Sequence, residues 1–234
     1  MTQGIETFFV IDFDRCLGNI EGSFDILKEV VHDLGVVDRQ VFKSMREEVE
    51  SDGLTFSALE QITKRTPSVN LDDIEKLYLE RANLEPDNLL EPGAMEFINF
   101  LRKTSINFCI MSFGDVRWQT IKIQSSGIGM VPMAIVGNVK KSDYIRKWLD
   151  RGSGTFQIPE RFFVDNMSKM SNEVVLVDDK ISAFENLPKE ARGYYVSGSS
   201  SKYLTKQIGK LPSSVIHISH IDEIITYESK KINP

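Results

Sequence analysis

The sequence predicts an α/β fold, a parallel sheet flanked by helices, interrupted after its first strand by a small all-helical insertion. Three observations carry this. Short apolar runs without alternation recur at 8–11, 108–111, 133–136 and 174–177, the pattern of strands covered on both faces. From residue 92 onward, helical stretches separate these runs, and strand–helix alternation implies parallel pairing through right-handed crossovers. Between the first and second runs, residues 18–90 show only helical apolar spacing and hold sixteen acidic against eight basic side chains, a charge of −8 where the remainder carries +2.

The first strand, 8–11, runs into Asp12-Phe13-Asp14. In the insertion, Leu27, Val30, Val31 and Leu34 recur at helical spacing and stop at Gly35, and Val41, Phe42, Met45 and Val49 stop near Gly53. Thr55 is placed to cap a helix with Phe56, Leu59 and Ile62 on one face. Asn70 caps another with Leu71, Ile74, Leu77 and Tyr78, Asp73 standing at the capping-box position. After Pro92 a helix is expected over 93–103, then the strand 108–111 ending in Ser112-Phe113-Gly114-Asp115, then a helix over 116–126 closed by Gly127. The strand 133–136 is followed by Lys140-Lys141 and a helix over 142–151 closed by Gly152. The strand 174–177 runs into Asp178-Asp179, with a helical segment starting near Ser182 and short strands at 194–196 and 215–216. Residues 153–172 and 197–201 read as surface loops. The expected organisation is a Rossmann-like α/β domain made of 1–17 and 91–234, with a helical domain over 18–90.

The chain has 234 residues, 41% of them hydrophobic and 26% charged, with a net charge of −6, the profile of an ordinary globular protein. It holds no apolar run of the roughly 18–20 residues that cross a bilayer, and its first residues lack a signal-peptide pattern, so the expected compartment is the cytoplasm. Cys16 and Cys109 are too few for a disulfide framework, and three histidines form no zinc-ligand cluster. The acidic insertion would repel a polyphosphate backbone, which argues against wrapping of nucleic acid. Nothing in the sequence fixes an oligomeric state.

In an open parallel sheet, chemistry gathers at the carboxyl ends of the strands. Those ends deliver a carboxylate pair, a hydroxyl, an amine and a second carboxylate pair. Asp12 and Asp14 lie two apart on extended chain and so share one side, while Phe13 points to the other. Crowded carboxylates are tolerated when one is protonated or a hard divalent cation lies between them. An ionised carboxylate is also a nucleophile toward phosphorus, and a protonated neighbour can serve a departing alkoxide. Ser112 offers a hydroxyl, and the N–H groups of Phe113 and Gly114 can cradle an anion. Lys140 and Lys141 precede a helix, where an anionic partner suits them better than the helix dipole. Asp178 and Asp179 are adjacent acids at the mouth of a buried strand, whose repulsion a metal would relieve.

Taken in order, these four motifs resemble those of the haloacid dehalogenase-like phosphohydrolases. Asp12-Phe13-Asp14-Arg15-Cys16-Leu17 is similar to the family's first motif, Ser112 to its second, Lys141 with Lys140 as competitor to its third, and Asp178-Asp179 to its acidic fourth. The resemblance covers about residues 5–17 and 92–225, and the inserted helices fall where the family places its helical cap. It implies a Mg²⁺-dependent phosphomonoester hydrolase acting on a small phosphorylated metabolite. In that reading Asp12 attacks phosphorus and forms an aspartyl-phosphate, and Asp14 protonates the leaving group and then activates water. Ser112, Phe113, Gly114 and Lys141 hold the phosphoryl group. Mg²⁺ is held by Asp12, by the backbone carbonyl of Asp14 and by Asp179, with Asp178 direct or through water. Asp14 speaks against the dehalogenase branch, because a departing halide needs no proton donor. A phosphotransferase or phosphomutase with the same intermediate, and a non-catalytic binding module of this fold, remain alternatives. The chain departs from the pattern at Cys16, where Thr or Val is usual, and after Asp179, where a further acid is often found.

Overall fold

The computed structural model describes residues 5–51, 56–137, 140–163, 167–198 and 211–232. By contact density the chain forms two compact units. The first comprises Met1–Leu17, Glu91–Ser112 and Met130–Pro234, and the second Gly18–Leu90 and Phe113–Gly129.

The first unit is built on a sheet whose central strand is β1 (Ile5–Ile11). Phe8, Phe9, Val10 and Ile11 are all fully buried, because successive side chains enter opposite layers and both are apolar. β1 pairs in parallel with β2 (Asn107–Phe113) on one side and with β6 (Lys169–Asp178) on the other. β3 (Met133–Val136) borders β2, while β7 (Arg192–Val196) and β8 (Val215–Ile218) extend the sheet in parallel beyond β6. Strands β2-β1-β6-β7-β8 are thus successive parallel neighbours, with β3 at the β2 edge. On one face Phe8, Leu176 and Met111 pack with α7 (Lys141–Trp148), through Ile145 and Trp148, and with Phe162 and Phe184. On the other, α5 (Ala94–Lys103) brings Phe97 edge-on to Phe9 at 5.9 Å, and α8 (Glu223–Ile232) brings Tyr227 and Glu228 to Tyr194. Each such apolar side chain removed from water contributes about 1.5–3 kcal/mol before ordering costs.

Several expectations change here. Within 153–172, residues 155–158 and 169–172 are strand and not loop: β4 (Leu149–Asp150) and β5 (Thr155–Ile158) form a hairpin, and β5 runs antiparallel to residues 169–171 of β6. The alternation is present, with Phe156 and Ile158 fully buried around an exposed Gln157. The helix expected over 142–151 ends at Trp148 for the same reason, since the chain turns there into β4. The segment from Ser182 is only a 3₁₀ turn, Ile181–Phe184, and α8 was not anticipated. The strands 108–111, 174–177, 194–196 and 215–216 all lie inside observed strands. Gly53, Thr55 and the end of the 197–201 segment lie outside the described residues.

The second unit holds α1 (Ile20–Asp33), α2 (Arg39–Ser51), α3 (Ala58–Arg65), α4 (Leu71–Ala82) and α6 (Val116–Ser125). Asn19 caps α1 by accepting from the N–H groups of Glu21 and Gly22, and Asn70 caps α4 through Asp72 N–H while donating to Asp73. Gly35 takes φ +67° just past α1, the left-handed closure that favours glycine. The centre is aromatic. Trp118 stacks on Phe24 at 6.2 Å and meets Tyr78 edge-on at 5.1 Å. Trp118 and Ile121 pack into this core, which is why residues 113–129, expected in the α/β domain, group with the helices instead.

Candidate active site

The carboxyl ends of β1, β2 and β6 adjoin, because Ile110 and Val177 both lie in register with Ile11. Asp12 continues β1 and donates its N–H to Val177 O at 2.9 Å. Lys141, the first residue of α7, reaches into this corner. Its Nζ lies 2.8 Å from Asp12 Oδ1 and 2.6 Å from Asp178 Oδ2. All three are withdrawn from solvent, at 6%, 4% and 1% exposure in that order. Lys140 points elsewhere and pairs on the surface with Glu185, so the geometry selects Lys141 from the two candidates.

The remaining oxygens are accounted for one by one. Asp12 Oδ1 also accepts from Phe13 N–H at 2.7 Å, and Asp178 Oδ1 accepts from Lys180 N–H at 2.8 Å. Both oxygens of Asp178 are thus engaged by donors of the chain itself. Asp179 Oδ1 is buried without a hydrogen-bond partner among the described residues, and so is Ser112 Oγ at the end of β2. A buried polar atom left unsatisfied costs about 1–3 kcal/mol. These two are therefore atoms that a cation and an anion respectively would satisfy. Asp12, Asp178 and Asp179 each present a carboxylate oxygen within 4.8 Å of the others, which fits a hard divalent cation.

Electrostatics follow from this crowding. Burial, with the charges of Asp178 and Asp14, outweighs Lys141 and raises the Asp12 carboxyl to about 6. Burial, with Asp12 and Asp178 nearby, raises Asp179 to about 8. Burial alone would push the Lys141 ammonium toward neutrality, but Asp12 and Asp178 push harder the other way, so it stays charged. Cys16 is fully buried, and burial followed by the charges of Asp179, Asp12 and Asp178 holds it as a neutral thiol, a small hydrophobe in effect.

The structure therefore brings together Asp12, Lys141, Asp178 and Asp179, with Ser112 on the adjacent strand and a half-buried Asp14 that acts on Asp12. Phe113 and Gly114 follow Ser112 directly but belong to the second unit, where Phe113 O accepts from Gln119 Nε2 at 2.9 Å. The buried hydroxyl of Ser142 and the backbone conformation of Arg15, whose position near a strand end the sequence does mark, were not read from the sequence. Ser142 Oγ, next to Lys141, is buried and unpartnered among the described residues, and Arg15 holds a left-handed backbone at φ +62°. A hydroxyl beside a candidate site lysine was the one available signal for the former.

No protein-family model matches this sequence, and no curated protein does. Solved structures do match. A protein described as a haloacid dehalogenase-like hydrolase from Burkholderia xenovorans superposes with TM-score 0.61 at 16% identity, over 98% of this chain and 99% of that one. The chain has the haloacid dehalogenase-like fold. A hydrolase of the same description from Bacillus subtilis, bound to magnesium, gives TM-score 0.52 at 12% identity over 96% and 99% of the two chains. A cytosolic 5′-nucleotidase IIIB bound to cytidine gives 0.54 at 12% identity over 97% of this chain and 87% of that one.

Proposed function

We propose that this protein is a Mg²⁺-dependent phosphomonoester hydrolase that works through an aspartyl-phosphate at Asp12. The observation that carries the reading is the packing of three carboxylates, one lysine and an unpartnered serine hydroxyl at the carboxyl ends of three adjoining strands. The fold supports it, as do a structural neighbour described as bound to magnesium and another named a 5′-nucleotidase.

At neutral pH Asp12, with its carboxyl near 6, is mostly ionised, and a carboxylate oxygen attacks phosphorus as the bond to the leaving oxygen breaks. Asp14, two residues on and on the same side of the chain, gives its proton to that oxygen. It then takes a proton from the water that attacks the aspartyl-phosphate, returning Asp12 as carboxylate and releasing inorganic phosphate. Ser112 Oγ–H donates to a phosphoryl oxygen, which satisfies the orphaned hydroxyl. Lys141 offsets negative charge on Asp12 and on the transferring group. Asp12, Asp179 and the backbone carbonyl of Asp14 would hold Mg²⁺, with Asp178 behind them fixing Lys141. When bound, the ion neutralises the acids and polarises the phosphoryl oxygens.

The test is phosphate release from phenyl phosphate with Mg²⁺ by the purified protein. Turnover is expected and Asp12→Asn abolishes it. A broad phosphate panel left untouched, together with no Mg²⁺ binding by calorimetry, overturns the proposal.

A further inference from the structure

Arg15 stands next to Asp14, the residue that meets the leaving group, and its circumstances are unusual in this molecule. Among the described non-glycine residues only Arg15 and Ser105 have a positive φ. Ser105 closes α5, with Ile106 N–H returning to Leu101 O at 2.9 Å. Arg15 lies in the turn where Cys16 and Leu17 N–H both return to Phe13 O, a conformation that glycine would take more readily than any residue with a Cβ. The side chain is exposed and makes no ion pair or hydrogen bond among the described residues. Arg39, Arg46, Arg81, Arg117, Arg146 and Arg192 have carboxylate partners, whereas Arg65 and Arg151 share with Arg15 an exposed side chain without an ion pair among the described residues, so it is the left-handed backbone beside Asp14 that sets Arg15 apart.

Lys180 repeats the pattern on the neighbouring strand end. It follows Asp179, its backbone N–H is spent on Asp178, and its exposed ammonium makes no hydrogen bond or close ion pair among the described residues, although its charge acts on Asp179. Each carboxylate pair is thus followed by one exposed cation. Lys180 offsets part of the charge near Asp179, and Arg15 makes no ion pair with any of the four carboxylates close by in the chain. An arginine or lysine so placed is available to an anion from outside, and guanidinium is well suited to a carboxylate or second phosphate.

We infer that Arg15, assisted by Lys180, selects phosphomonoesters whose leaving group carries a second negative charge, a carboxylate or another phosphoryl group. The inference rests on the hydrolase reading above and names its substrate class. Arg15 is here a specificity-determining residue and takes no part in the bond changes.

The experiment compares kcat/KM for phenyl phosphate and 3-carboxyphenyl phosphate with Mg²⁺. The wild-type protein should favour the carboxylated probe about tenfold, the scale of one charge-assisted contact. Arg15→Gly should bring that ratio close to one, chiefly through KM for the carboxylated probe, and Arg15→Lys should restore most of it. Lys180→Ala should lower it in part. Glycine accepts φ +62° without strain, so Arg15→Gly should melt no lower than wild type, which keeps misfolding out of the comparison. A wild type with no preference overturns the inference and leaves the hydrolase reading standing. So does an Arg15→Gly variant that loses both probes in equal proportion. Turnover of neither probe removes the hydrolase reading and the inference with it.

Discussion

Lys141 joins Asp12 to Asp178 with its ammonium shared between two buried carboxylates. Removing one partner of such a group is far costlier than the net worth of the contact, because the other charges remain buried and uncompensated. Lys141→Met keeps the length of the stem and removes the charge. In EDTA at pH 8 it should destabilise the protein by about 3–5 kcal/mol in urea denaturation. At pH 5 the loss should be smaller, because Asp12, with its carboxyl near 6, is then largely protonated. Equal stability of variant and wild type at pH 8 would refute the buried ion triad. The sequence favoured Lys141 with Lys140 as competitor, because neighbouring residues at a helix start differ by about 100° in direction; the placement of α7 puts Lys141, and not Lys140, between Asp12 and Asp178.

At the scale of elements, what was legible followed from period and punctuation. The strands 108–111 and 174–177 were marked by runs too apolar to face water, α1 by Gly35, and α4 by Asn70. The chemistry-bearing positions came with them, since Asp12, Ser112 and Asp178 are simply what stands at those strand ends. The β4–β5 hairpin was hidden because its alternation, Thr155-Phe156-Gln157-Ile158, is only four residues long and sits among Gly152, Ser153, Gly154 and Pro159, which read as loop. α8 was hidden because part of what holds it is polar. Glu228, buried at 4% exposure, accepts from Arg192 Nη2 at 2.8 Å and from Tyr194 Oη, while Arg192 Nε also reaches Glu173 at 2.7 Å. A buried glutamate on a helix face registers in a sequence as a surface position. Glu228→Gln keeps the shape and loses the charge that Arg192 requires. It should cost about 1–3 kcal/mol of stability and raise hydrogen-exchange rates across 223–232 before those of β1. Unchanged exchange in α8 would show that apolar packing alone holds the helix.

For the whole molecule, the acids of the site set how stability depends on pH. Asp12 and Asp179 have carboxyls raised to about 6 and about 8 in the metal-free fold, against about 3.9 in an unfolded chain. Between pH 4 and pH 8 the folded protein therefore holds protons that the unfolded chain has already released, and stability must fall as pH rises through that window. Lys141 works in a different range: its raised pKa contributes stability that is present below the ordinary lysine value and lost only at higher pH, so it does not mask the effect. A divalent cation held by the deprotonated acids, as proposed above, would displace those protons and stabilise the folded state in proportion to the logarithm of its excess over Kd. In EDTA the melting temperature of the wild type should drop from pH 5 to pH 8, by an amount on the order of several kcal/mol in stability. Saturating Mg²⁺ should flatten the profile, with its largest gain at pH 8. Asp179→Asn removes the group with the higher carboxyl, so the variant should show a shallower decline in EDTA and a weaker gain from Mg²⁺. Calorimetric melts of wild type and variant across this range decide the matter. If both decline equally in EDTA, Asp179 is not a group that keeps its proton in the folded state, and the crowding of carboxylates inferred for this site is wrong.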